Sequence, residues 1–400
     1  MTRVLRFIVE HYLVVPLAAA VAIVWANLDG VSYFRFAEAS SFFVNDVGMA
    51  FALAFLTQEV LEAMLPGGTL HPKRRAMLPI VAAGGGVIGA VAVFLAWVAI
   101  SDQPVLALGW PIACAVDIAL TYVVARSIFG RHAAVTFLLL LAIASNAIGL
   151  VLVSQRYPVA EAHPAALALL LPAVGGAAVM QRFSTRTFWP VLLVCGTLSW
   201  LAFFWSGVHP ALALLPIVPF FPHSARHLDF AADSPRGRHG SAAHFEYVFR
   251  FPVQVVLLLF GLVNGGVLMR GFGGGTWAVL MAGIVGRPAG IAAATALGVA
   301  AGLRLPPRVG WREIVVVALV ASTSFTFGLF FASAIFPVGA FLIQTKMGAM
   351  ATLGGSLIAW GAARRLGVGH FDRIASATRS RTDRGALRAA TAPARAKRQR

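Results

Sequence analysis

Asp117 and Arg287 each lie inside an apolar stretch long enough to cross a bilayer, and each has a helix-breaking residue close by. Pro111 precedes Asp117, and Pro288 directly follows Arg287. A charge at bilayer depth costs at least ~3 kcal/mol unless it is paired or hydrated, so such charges are retained for a task. Interrupted backbone at that depth is tolerated only against protein or a water-filled cavity. Together the two residues predict a transport site. They leave its cargo open.

The elements that position this site are membrane helices. The chain is 59% hydrophobic and 12% charged, with a mean hydropathy of +0.82, far from a soluble domain. A hydrocarbon core of ~30 Å takes about 20 helical residues per crossing. Twelve runs qualify: 11–28, 46–65, 76–100, 105–125, 132–154, 163–181, 187–205, 209–222, 246–269, 276–302, 313–335 and 346–363. The fold expected is an all-α polytopic membrane protein. Cys114 and Cys195 both fall in apolar runs and read as small core residues. No small-residue cleavage site follows the first run, which reads as a retained span.

A net charge of +17 would suggest a nucleic-acid partner in a soluble protein. Its distribution points to membrane lipid instead. Eleven of the 32 Lys and Arg residues lie from Arg364 onward. Most others recur in alternate loops: Arg3 and Arg6, Lys73 to Arg75, Arg126 and Arg131, Arg182 and Arg186, Arg226 to Arg238, and Arg304 to Arg312. The intervening loops hold Arg35, Arg156, Arg270 and Lys346. This roughly fourfold asymmetry predicts an inner-membrane protein with both termini in the cytoplasm. Residues 1–366 form the expected transmembrane domain. The tail 367–400, rich in Ala, Arg and Thr, is expected to be disordered and to favour anionic headgroups. The segment Pro222 to Ala243 reads as a cytoplasmic connector.

Small residues crowd span three (Ala82 to Gly86, Gly89, Ala90) and span ten (Gly283, Gly286, Gly290, Ala292 to Ala294), which lets helix backbones approach closely. Each is followed by a span with a polar interruption: Asp117 in one, Ser322-Thr323-Ser324 with Thr326 in the other. Spans three to five and ten to twelve therefore read as two copies of one unit. Their separation of seven spans is odd, so the copies run in opposite directions, and two crossing discontinuous helices follow.

Five ordered stretches, running from Asn45-Asp46 through Gln58-Glu59, Trp110-Pro111 through Asp117, Ser206-Gly207-Val208-His209-Pro210, Val263-Asn264-Gly265-Gly266, and Gly286-Arg287-Pro288, resemble the NhaA-type sodium/proton antiporters. The later Phe325-Thr326-Phe327 is similar to that family's second broken helix. The likeness covers about residues 10 to 365. It implies exchange of monovalent cations (Na+ or Li+) for protons, no enzymatic activity and no cofactor. It also implies an ion site at Asp117, Ser145, Asn146 and Arg287, and a cytoplasmic entry funnel that includes Glu59 and Glu62.

The departures bear on chemistry. Where the family carries two adjacent aspartates, this chain has Ser145-Asn146, and the family's span-ten lysine is Arg287. Ser and Asn offer neutral oxygens and take up no proton near neutral pH. An arginine stays protonated throughout, so it cannot release a proton when a cation arrives. Asp117 is left as the one obvious titratable carboxylate, and pairing with Arg287 is expected. The loop from Asp29 to Asn45 is too short for the hairpin through which the family dimerises, so dimerisation there is expected to be weak or absent, and a homodimer held by span faces is left open. A small anion or polar solute as cargo, or a scaffold that senses without transporting, are the competing readings. His209 reads as a helix start before Pro210. No metal-ligand spacing is present.

Overall fold

A computed structural model describes residues 14–64, 74–130, 132–156, 163–183, 188–221, 241–269 and 271–371. The connector at 222–240 and the tail beyond 371 lie outside the described residues, as do most of the basic loop residues before Lys73 and around Arg186.

Every regular element among the described residues is a helix. Helix α1 (Val14–Leu28) leads into α2 (Gly30–Ser41), a π-wound segment at Phe42–Gly48, and α3 (Met49–Met64). Helix α4 (Arg74–Ile100) is followed by a 3-10 stretch at Pro104–Cys114, then α5 (Ile118–Phe129) and α6 (Ala133–Arg156). Next come α7 (Leu170–Arg182), entered through a 3-10 turn at Pro164–Leu169, and α8 (Thr197–Ser206), entered through a π turn at Val191–Gly196. Then follow α9 (Ser241–Asn264), α10 (Gly274–Met281), α11 (Arg287–Ala300), α12 (Trp311–Val320), α13 (Phe325–Ile335), α14 (Ala340–Ala351) and α15 (Leu353–Leu366).

Among the described residues, four uninterrupted apolar helices reach crossing length, and two bent pairs add a span each, with breaks of 52° before α5 and 46° before α13. Three shorter apolar helices lie at Val14–Leu28, Val191–Ser206 and Phe251–Asn264. Large side chains such as Val21, Ile88, Leu171, Leu297 and Leu357 stand exposed on the outside of the bundle, where lipid is their solvent.

Four expectations are corrected. The segment from Asp29 to Asn45 is helix, because Asp29 caps α2 by accepting the Ser32 N–H at 3.2 Å. Within predicted span 209–222, residues 209–221 form a series of tight turns around Pro210–Leu212 and Val218–Phe220, as the prolines dictate. Lys346 lies within α14 and is buried, so it is no loop residue. Pro288 does not break its span: helix runs from Gly274 to Ala300, with a π turn at Ala282–Gly286 just before Arg287. A proline in the first turn after that bulge removes an N–H that the altered ladder leaves spare.

The expected close approach of spans three and ten is realised between α4 and the α10–α11 span. A Cβ built on Gly85 would lie 2.6 Å from the Gly290 carbonyl oxygen, and one on Gly89 2.8 Å from the Gly290 Cα. One on Gly286 would lie 2.5 Å from the Gly89 carbonyl oxygen. The obstacles are backbone atoms, which cannot step aside. Gly89→Val is therefore expected to abolish a monodisperse, folded protein in detergent. Gly84→Ala, five residues earlier and with open space around it, should match or exceed the parent by up to ~1 kcal/mol in thermal melting.

Candidate functional site at the crossing of two broken helices

Both helix breaks have a local cause. After the 3-10 stretch that holds Pro104 and Pro111, Ala115 and Asp117 take up extended backbone, and Asp117 starts α5 as its N-cap. In the second break, Ser322, Thr323 and Ser324 separate α12 from α13, and such side chains compete with the helical ladder for hydrogen bonds. The Ser322 hydroxyl donates to the Leu319 carbonyl at 2.6 Å, and the Thr323 and Ser356 hydroxyls meet at 2.7 Å.

Asp117 joins the two breaks. Its Oδ1 accepts the Leu120 N–H at 2.9 Å, inside its own half-helix. Its Oδ2 accepts the Thr326 N–H at 2.8 Å, from the first turn of α13. Its own N–H donates to the Thr323 carbonyl at 2.9 Å. One carboxylate thus meets the N-terminal ends of α5 and α13, where unpaired N–H groups and two helix dipoles favour negative charge. It is 1% exposed.

Arg287 serves the opposite poles. Its Nη1 donates to the Ala321 carbonyl at 3.0 Å, just past the C-terminal end of α12. Its Nη2 donates to the Ala113 carbonyl, at the end of the 3-10 stretch. The planar fork of a guanidinium suits two carbonyls in different directions better than an ammonium does. The expected ion pair between Asp117 and Arg287 is absent: the one acid–base contact among the described residues is His209 Nδ1 to Asp46 Oδ1, at 3.8 Å. The physical reason is that four helix ends converge here. Each charge is matched by two of them and does not depend on the other.

Ser145 and Asn146 are both buried in α6. Asn146 faces the first break: its Oδ1 accepts the Val116 N–H at 2.8 Å, and its Nδ2 donates to the Val116 carbonyl at 2.7 Å. Glu59 and Glu62 belong to the last turns of α3, and their side chains lie outside the described part of the structure.

Sequence reasoning missed several supporting residues. Thr352, at the junction of α14 and α15, accepts the Ser324 N–H on its Oγ1 at 3.0 Å. The repeat itself was the signal: a polar residue on span five that holds one break predicts a counterpart on span twelve. Asn264 donates to Asn45 Oδ1 at 2.8 Å and accepts from the Ser333 hydroxyl at 2.9 Å. Both asparagines stood in quoted motifs, but their pairing across 219 positions was not legible. His209 accepts the Ala211 N–H at 3.3 Å, as a helix start does, and its ring packs on Phe330.

An inverted repeat of apolar spans, with two broken helices crossing at a buried acid and a buried base, defines a polytopic membrane protein of the broken-helix class. The chain belongs to the Na+/H+ antiporter 1 family, whose model matches residues 9–365. It is 38% identical over 378 residues to the Na(+)/H(+) antiporter NhaA 1 of Pelobacter propionicus, covering 92% of this chain and 99% of the relative. It is 40% identical over 349 residues to the Na(+)/H(+) antiporter NhaA of Geobacter metallireducens, covering 84% and 91%. With that of Desulfitobacterium hafniense the identity is 37% over 378 residues, covering 92% and 97%.

Proposed function

We propose that this chain is a secondary active transporter of the inner membrane that exchanges a monovalent cation, sodium or lithium, for protons. The observation that carries this reading is the placement of Asp117. A carboxylate has about four lone-pair sites; the Leu120 and Thr326 N–H groups occupy one on each oxygen, and the Thr326 side chain also bonds the carboxylate. The capacity left over serves a cation or a proton in turn. Movement of either half-helix changes how well the carboxylate is held, which couples occupancy to alternating access. Ser145 is assigned as a neutral neighbour of the ion, Arg287 as the fixed charge that holds the opposite helix ends, and Glu59 and Glu62 as the cytoplasmic entry.

Two placements stand against a small-anion cargo. Two donors of Arg287 are directed at backbone carbonyls, and the N-terminal ends that would attract an anion already hold Asp117. In proteoliposomes with an internal pH dye, addition of Na+ or Li+ should dissipate an imposed pH gradient. Gradient-driven uptake of a small anion, with no cation response, would overturn the assignment.

Both termini are assigned to the cytoplasm. A single cysteine at Ser101, in a background lacking Cys114 and Cys195, should react with an impermeant maleimide from the outside of intact cells. Reaction only in inside-out vesicles would reverse the topology.

A further inference from the structure

We propose that Asn146 is a positioning residue for Asp117: its carboxamide clamps the unwound chain at Val116, and the site is built to work without a carboxylate at that position. The inference rests on the exchange reading above for its transport consequences and on geometry alone for the clamp.

The carboxamide and the Val116 peptide groups exchange both of their hydrogen bonds, at 2.8 and 2.7 Å, as two residues do in an antiparallel ladder. The reciprocity decides which end of the amide is which, because a flipped amide would set donor against donor and acceptor against acceptor. Val116 is fully buried and lies between the two residues with extended backbone, so its N–H and carbonyl have no helical partner. Asn146 supplies both in one side chain. Asp117 is the next residue, and its carboxylate reaches Leu120 and Thr326 only from the backbone direction that the clamp holds.

A carboxylate could accept the Val116 N–H but could not donate to the Val116 carbonyl, and would press an anionic oxygen against it. A serine is too short to do both. The second break is held by one such bond only: Thr352, at the junction of α14 and α15, receives the N–H of Ser324. Thus both unwound segments lean on a neutral side chain of the succeeding span.

Asn146→Asp separates this role from that of a neutral cation ligand. A protonated carboxyl has one donor and one acceptor and reproduces the clamp, whereas the ionised form does not. Full-length parent, Asn146→Asp and Asn146→Leu should be compared by thermal melting in detergent without Na+, and by Na+/H+ exchange in proteoliposomes, each from acid to alkaline pH. Asn146→Asp should track the parent at acid pH and fall away as pH rises, in melting temperature and in an apparent KM for Na+ that climbs about tenfold relative to the parent. Asn146→Leu should be defective at every pH. An Asn146→Asp protein that binds Na+ as tightly as the parent, or more tightly, at alkaline pH would overturn the inference and make position 146 a ligand. If the parent exchanges nothing, the transport reading fails while melting still decides the clamp: curves for parent and Asn146→Asp that stay parallel at all pH values would refute it.

Discussion

Asp117→Asn is expected to abolish proton-coupled cation flux and to lower stability by about 2–4 kcal/mol, while Asp117→Glu keeps part of the flux. The stability loss follows from the two helix ends that the carboxylate serves. The carboxamide has one oxygen, so it can satisfy either the Leu120 or the Thr326 N–H, and its NH2 group is forced against the other. A lost charge-assisted hydrogen bond costs ~1.5–3 kcal/mol, and the uncompensated helix poles add a further fraction. Asp117→Glu retains charge and both acceptors but adds a methylene to a packed site, at ~1–3 kcal/mol. Thermal melting and dye-monitored exchange on the same preparations separate the two effects. Robust Na+/H+ exchange by a folded Asp117→Asn protein would remove the carboxylate from the transport cycle.

Arg287→Gln should be at least as damaging to stability, by about 3–5 kcal/mol, because a shorter neutral group leaves buried carbonyls of Ala113 and Ala321 without their donors. Arg287→Lys should lose less, since it keeps the charge at the two helix ends but not the fork that reaches both. The double variant Asp117→Asn with Arg287→Gln discriminates between two pictures of the crossing. If the charges formed a pair, removing both would recover part of the loss. With no shared partner between them, the two losses should add to within ~0.5 kcal/mol. Recovery of more than ~1 kcal/mol would show a direct coupling that this geometry does not contain.

The glycine-rich faces of α4 and α11 were legible because a helix with no Cβ on one side has a single economical use, and the two faces do meet. The break before α5 was legible because proline and a buried aspartate leave the backbone few alternatives. The break in the Arg287 span was misread. Gly286-Arg287-Pro288 looks like an interruption, yet a π turn absorbs the proline without bending the helix out of line. Local rules cannot choose between a bulge and a break when neighbouring spans press on both sides.

By itself the sequence determined the class of solvent, the all-helical architecture, the inverted repeat and the identity of the buried charges, since hydropathy, span parity and residue type are properties of the chain. Only the tertiary structure decided which groups those charges meet. Whether Asp117 meets Arg287 or two helix N-termini depends on where four half-helix ends come together, and contacts such as Asp117 to Thr326 span 209 positions. The same holds for Asn146, whose type is that of a neutral ligand and whose carboxamide exchanges two hydrogen bonds with Val116. A side chain's chemistry is written in the sequence, but its partner is set by packing.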